Sequence, residues 1–170
     1  MSEILEVHER FVRGAEGGVR ADLSGADLSQ ADFERVKLAY VNLQGANLEG
    51  ANLHEANLSS ADLTKANLRR ADLRRSDLTE AHMSGADLTE ARLGGAEMFR
   101  ADLRQAILRR ADLGATNFRE AQIQGADFQG ADFKTTILRE TNLEGVDLSG
   151  ADLSTALLPR GYQKAAGGRN

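Results

Sequence analysis

From residue 21 to residue 160 an apolar side chain returns at every fifth position without a break. Cut on that period, the segment is 28 consecutive units, the first being Ala21-Asp22-Leu23-Ser24-Gly25 and the last centred on Leu158. Every centre is apolar: 21 are Leu, and the others are Phe33, Met83, Met98, Phe118, Ile123, Phe128 and Phe133. Two places before the centre stands Ala in 21 units, with Val36, Val41, Ser76, Thr116, Thr136, Thr141 and Val146 as small replacements. Immediately before the centre stands Asp or Asn in 20 units.

A period of five suits neither regular element. A helix needs 3.6 and a strand needs 2. Successive centres on a helix would turn by about 500° and scatter the leucines around the cylinder. Each unit is therefore predicted to be a short extended piece followed by a bend, and the bends stack. The centre and the small residue before it face inward, and the other three places face solvent. Asp and Asn suit bends because their side chains bond nearby backbone. Glycine at a unit's last place, as at Gly25, Gly45 and Gly85, admits the turn dihedrals. Departures from the pattern recur in steps of 20: Val36, Ser76, Thr116 and Thr136 among the small places, Lys37, Glu97, Ile137 and Leu157 before the centres. Four units per coil are predicted, with one of four faces unusual.

This pattern resembles the pentapeptide-repeat family, whose motif is A(D/N)LXX, over residues 21–160. The resemblance implies an all-β fold, a right-handed quadrilateral β-helix (a solenoid) with Leu or Phe at the centre of each side. Twenty-eight units then make seven coils, a rod of about 34 Å at the stacked-strand rise. Residues 1–20 are predicted to be an N-terminal capping helix and loop, 21–160 the β-helix, and 161–170 a C-terminal tail.

A solenoid must cover its ends, which otherwise expose core and strand edges. A short helix over 2–13 is predicted to lie on the first coil. Ser2 caps it, Ile4, Leu5, His8, Phe11 and Val12 share one face, and Gly14 stops it. A loop then passes through Gly17 and Gly18. The other end has only a short tail. Either that tail folds back with Tyr162, or a second copy covers the last coil. Resemblance to members that dimerise through their C-terminal coils favours a homodimer, with Leu157, Leu158 and Tyr162 at the interface.

Composition narrows the chemistry. There is no cysteine, so disulfides and thiolate sites are excluded. No apolar run reaches the roughly 18 residues a membrane helix needs. Residues 1–11 carry three glutamates and no signal-peptide core, so a cytoplasmic protein is expected, with no membrane association. His8 falls on the helix face, while His54 and His82 lie on different sides of the rod and share no ligand spacing. No catalytic, metal or cofactor residues are expected, and the chain reads as a non-enzyme.

Charge falls in columns. Asp and Asn alternate up the first coils, which relieves stacked carboxylates. The column Asp112, Asp132, Asp152 has no such relief. Arg69, Arg70, Arg74, Arg75, Arg104, Arg109 and Arg110 form a belt. Signs alternate up the column Arg70, Glu90, Arg110, as ion-pair ladders would, so no nucleic-acid binding is expected.

The unusual face presents Tyr40, Phe99, Ile137 and Leu157 at outward places, the candidate contacts for a protein partner. Two functions follow. The first is a rigid protein–protein interaction module with an unidentified partner. The second rests on the resemblance: members of the Qnr and MfpA types mimic duplex DNA, bind DNA gyrase and protect it from quinolones. A C-terminal dimer would gather Asp127, Asp132, Glu144, Asp147 and Asp152 from both copies at its middle. The arginine belt and a net charge of only −5 oppose mimicry.

Overall fold

The computed structural model describes residues 2–162. The side chain of Ser2, and with it the predicted cap, lies outside the described residues, as do the tail residues 163–170.

Each unit is built by its own side chain. In all 20 units with Asp or Asn before the centre, the side-chain Oδ1 accepts the N–H two residues on, as Asp22 does from Ser24 at 3.0 Å and Asn117 from Arg119 at 3.1 Å. The N–H that opens the next unit then donates to the centre's carbonyl, Ala26 to Leu23 at 3.1 Å. This turn needs a left-handed last residue. Seventeen non-glycine residues adopt it, with φ near that of Arg70, 56°. Side chains pay strain there, so glycine is convenient rather than obligatory. Leu157 stands where an Asx oxygen would be, and its turn has no N–H to cap, because the residue two places on is Pro159.

The turns stack by backbone bonds between coils. Leu23 N–H donates to Asn42 C=O at 2.7 Å, Gly25 to Gln44 at 2.9 Å, and Asn42 N–H returns to Ala21 C=O at 3.0 Å. Parallel bridges repeat at an offset of 20 residues, from Asp22↔Asn42 to Ile137↔Leu157. Four units therefore make one coil, and the coil has four faces, whose first units begin at residues 21, 26, 31 and 36. We number the faces one to four in that order.

The centres and the small places fill the interior, and Leu93 and its neighbours Leu73 and Leu113 are wholly buried. Hydroxyls in the small-residue column are satisfied locally. Thr116, Thr136 and Thr141 donate to the carbonyls of Leu93, Leu113 and Phe118 at 2.8, 2.7 and 2.6 Å. Buried donors of this kind cost little because none is left unpaired. Phe118, Phe128 and Phe133 pack together, with ring centroids 6.0 and 5.4 Å apart along the series.

The two ends differ. The only helix among the described residues, α1, spans Ser2–Val12. Gly14 stops it at φ +65°, where its N–H donates to Phe11 C=O at 2.9 Å. The chain then doubles back so closely that a Cβ on Gly18 would lie 2.3 Å from the Phe11 nitrogen. Helix α1 meets the first coil through Leu5 and the buried His8, with Val19 N–H donating to Val7 C=O at 3.2 Å. The predicted contact face was too wide. Ile4 is 44% exposed and Phe11 37% exposed, because the coil end is narrower than the apolar stripe. Phe11 packs sideways instead, edge-on to Tyr40 at 6.4 Å. Beneath α1 the first-coil centres Leu23, Leu28, Phe33 and Leu38 are buried. At the other end Leu143, Leu148, Leu153 and Leu158 are only half-buried. No helix among the described residues is long and apolar enough to cross a membrane.

Candidate functional site

Tyr40, Phe99, Ile137 and Leu157 all lie on face four, but the stack does not bring them into one stripe. Tyr40 sits on the first coil, 51% exposed, with Phe11 against its ring. Phe99 is half-buried under the Arg100 guanidinium, 4.7 Å from the ring centroid, and Arg100 is itself bonded to Glu120 at 2.8 Å. Only Ile137 and Leu157 touch, as paired positions on consecutive coils, with Leu157 43% exposed.

Two arginines beside that pair were not singled out by the sequence reading. Arg139 and Arg160 share a shallow recess with Glu140, Leu158 and Pro159. Glu140 is occupied, accepting from Arg119 Nε at 2.9 Å. Among the described residues no carboxylate pairs with Arg139 or Arg160. The signal was present: Arg119 and Arg139 stand 20 residues apart in one column, like charges beside Glu120 and Glu140, and Glu120 also serves Arg100.

The belt behaves otherwise. Arg70 contacts Glu49 at 3.1 Å and Glu90 at 3.2 Å, and Arg110 contacts Glu90 at 2.5 Å, the ladder that the alternating signs predict. Arg69 pairs with Asp87 at 3.1 Å, Arg75 with Glu55 at 3.9 Å, and Arg109 with Asp127 at 2.6 Å. Arg74 and Arg104 each fork onto the aspartate of their own turn, Asp72 and Asp102, with shortest contacts of 2.6 Å. Those arginine hydrogen bonds hold the Asp72 and Asp102 carboxyls below the usual carboxylate range. Exposed pairs of this kind contribute little stability each, yet they leave the belt without spare positive charge.

The acidic candidates divide. Asp127 is paired to Arg109. Asp132 is paired to Lys134 at 3.1 Å, and that bond holds its carboxyl low. The column Asp112, Asp132, Asp152 is thus relieved after all, by Lys134 two residues along the chain rather than by a neighbour in the column. Asp147 and Asp152 accept the N–H groups of Ser149 and Ser154, both at 2.9 Å. Glu144, Asp147 and Asp152 are exposed around the last coil. That end is a recess floored by Leu143, Leu148 and Leu153, with the half-buried Tyr162 on its rim and Leu158 beside it.

The comparisons place this architecture. The pentapeptide-repeat family matches in eight copies, over residues 19–54, 56–95, 96–134 and 116–154. The chain belongs to that family, whose members fold as right-handed quadrilateral β-helices and are in general non-enzymatic structural and interaction modules. No curated protein matches it by sequence. Among solved structures it is similar to HetL from Nostoc sp. strain PCC 7120, a pentapeptide-repeat protein involved in regulating heterocyst differentiation. That match has 40% identity over 81% of this chain and 68% of HetL, with a TM-score of 0.64. It is also similar to QnrB1, a plasmid-mediated fluoroquinolone resistance protein, at 21% identity over 83% of this chain and 71% of QnrB1, with a TM-score of 0.60. The second likeness speaks to the fold alone.

Proposed function

We propose that this chain is a non-enzymatic, rigid interaction module: a rod of seven coils, covered at its first coil by α1, that binds a protein partner on face four near its C-terminal end. One observation carries the reading. The Ile137–Leu157 pair is a place where an exposed apolar contact adjoins arginines that pair with no carboxylate among the described residues. Apolar contact with flanking charge is what a protein interface uses for affinity and orientation. The unmatched arginines make the partner's contacting segment acidic. HetL's role in regulating heterocyst differentiation, at 40% identity, supports a regulatory task over a catalytic one.

Photo-crosslinking from position 139 of the full chain tests the reading. The expected result is capture of an acidic partner segment that is lost in Ile137→Asp. Equal capture by both chains sinks it.

A homodimer through the last coil belongs to the same proposal. Half-buried Leu143, Leu148 and Leu153 favour it, with Leu157, Leu158 and Tyr162 as contacts. The second reading, gyrase binding by DNA mimicry, is favoured by exposed Glu144, Asp147 and Asp152 at that end. It is weakened because Asp127 and Asp132 are each tied to a cation. A gyrase supercoiling assay with and without ciprofloxacin separates the two readings. Protection or inhibition promotes mimicry, and no effect leaves the first reading standing.

A further inference from the structure

His8 is the one buried side chain among the described residues with a polar atom lacking a hydrogen-bond partner, its Nε2. It sits wholly buried between α1 and the first coil. Its Nδ1 accepts the N–H of Ala21, the first residue of the first unit, at 3.0 Å. That bond fixes the neutral imidazole with its proton on Nε2. Phe11 stacks on the ring at 5.9 Å. The same imidazole therefore holds α1 to the rod and satisfies the N–H that opens the first unit.

We propose that His8 is a proton-operated latch: protonation of its Nδ1 releases α1 and uncovers the first coil. A proton on Nδ1 faces the Ala21 N–H, donor against donor. The bond is lost, Ala21 N–H is left unsatisfied, and a cation is buried without a carboxylate. Each consequence is costly in the docked state and absent once α1 swings away. Burial lowers the tendency of His8 to protonate, the Ala39 backbone partly opposes this, and the Arg20 charge adds to the lowering.

The charged groups around the joint leave His8 as the titrating member. On α1, Glu9 bonds Lys37 at 2.9 Å and Arg13 at 2.6 Å, and the Lys37 bond holds it ionised well below the window in question. On the loop, Arg20 donates to Tyr40 C=O. On the first coil, Asp22 is held low by Ser24. The sign follows from linkage. The docked state binds fewer protons than the open one, so docking weakens about tenfold for each pH unit below the ordinary histidine value of about 6.5, until the docked imidazole itself titrates.

Hydrogen–deuterium exchange on the full chain, at about pH 7.5 and about pH 5 and corrected for intrinsic exchange, tests the latch. The expected result is loss of protection over α1 and at Ala21 at the lower pH, with residues 41–138 still protected. The His8 imidazole proton shift, followed by NMR, should titrate with the same midpoint. Protection over α1 that persists at about pH 5 overturns the proposal. So does an imidazole that charges while α1 stays protected. In His8→Gln, α1 should show equal protection at both pH values, whether it is docked or open in that variant. A pH-dependent loss in that variant overturns the proposal as well.

Discussion

Asn47 donates through Nδ2 to Oδ1 of Asp27, one coil below, at 3.0 Å, and the same Asp27 oxygen accepts the N–H of Ser29 at 3.1 Å. One carboxylate thus closes its own turn and anchors the coil above. Asn42 on Asp22 and Asn52 on Asp32 repeat the arrangement, both at 2.9 Å. Asn47→Asp replaces that donor with a second carboxylate stacked on the first. It is expected to destabilise the rod by about 1 kcal/mol at low salt and less at high salt. Thermal unfolding at two ionic strengths checks it, and an unchanged Tm at low salt would count against the ladder.

Leu93 lies midway along an unbroken buried column, between Leu73 and Leu113. Leu93→Ala removes the centre of a side whose backbone is pinned to coils above and below, so the cavity cannot collapse. The expected loss is about 2–5 kcal/mol in a denaturant titration. A loss under about 1 kcal/mol would mean that the centres do not carry the core.

The turns should also set the acid limit of the fold. Asp22 and Asp27 are held below the ordinary carboxylate range by Ser24 and Ser29, and Asp72, Asp102 and Asp132 by Arg74, Arg104 and Lys134. A lowered folded value means that the unfolded chain binds more protons. The stabilisation is therefore present above the ordinary range and lost as pH falls through it. The Tm of the rod is expected to drop most steeply below about pH 4. A Tm that holds level below about pH 4 would contradict this.

At the C-terminal coil, Leu157→Asp places a charge beside Ile137 while keeping the backbone bonds of residue 157, to Thr136 and from Leu138, both at 2.8 Å. The monomer should stay folded and a dimer should dissociate, because an unpaired charge would enter a desolvated contact. Sedimentation of both chains at about 100 μM checks it. A wild type that is monomeric there excludes the dimer. A dimer indifferent to the substitution moves the interface elsewhere, to the Tyr40–Phe99 side.

The repeat, its inward places and the step of 20 between coils were all legible in the chain, for a physical reason. Each unit's conformation is set by its own five residues, through an Asx oxygen, a left-handed corner and one apolar centre. Translation along the sequence is then translation along the rod, and side-chain columns such as Arg70, Glu90 and Arg110 can be written down before any coordinates exist. What the sequence left undecided lies where that translation stops. The width of the apolar stripe on α1 did not reveal that His8 would be buried and Leu5 half-buried while Ile4 and Phe11 stayed exposed, because that depends on the shape of the coil end. The list of charges did not reveal that Glu140 would be claimed by Arg119, leaving Arg139 and Arg160 without a carboxylate among the described residues, or that Lys134 would neutralise Asp132. Those pairings are decided by the reach of long side chains across neighbouring corners, a distance in space that the five-residue period does not encode.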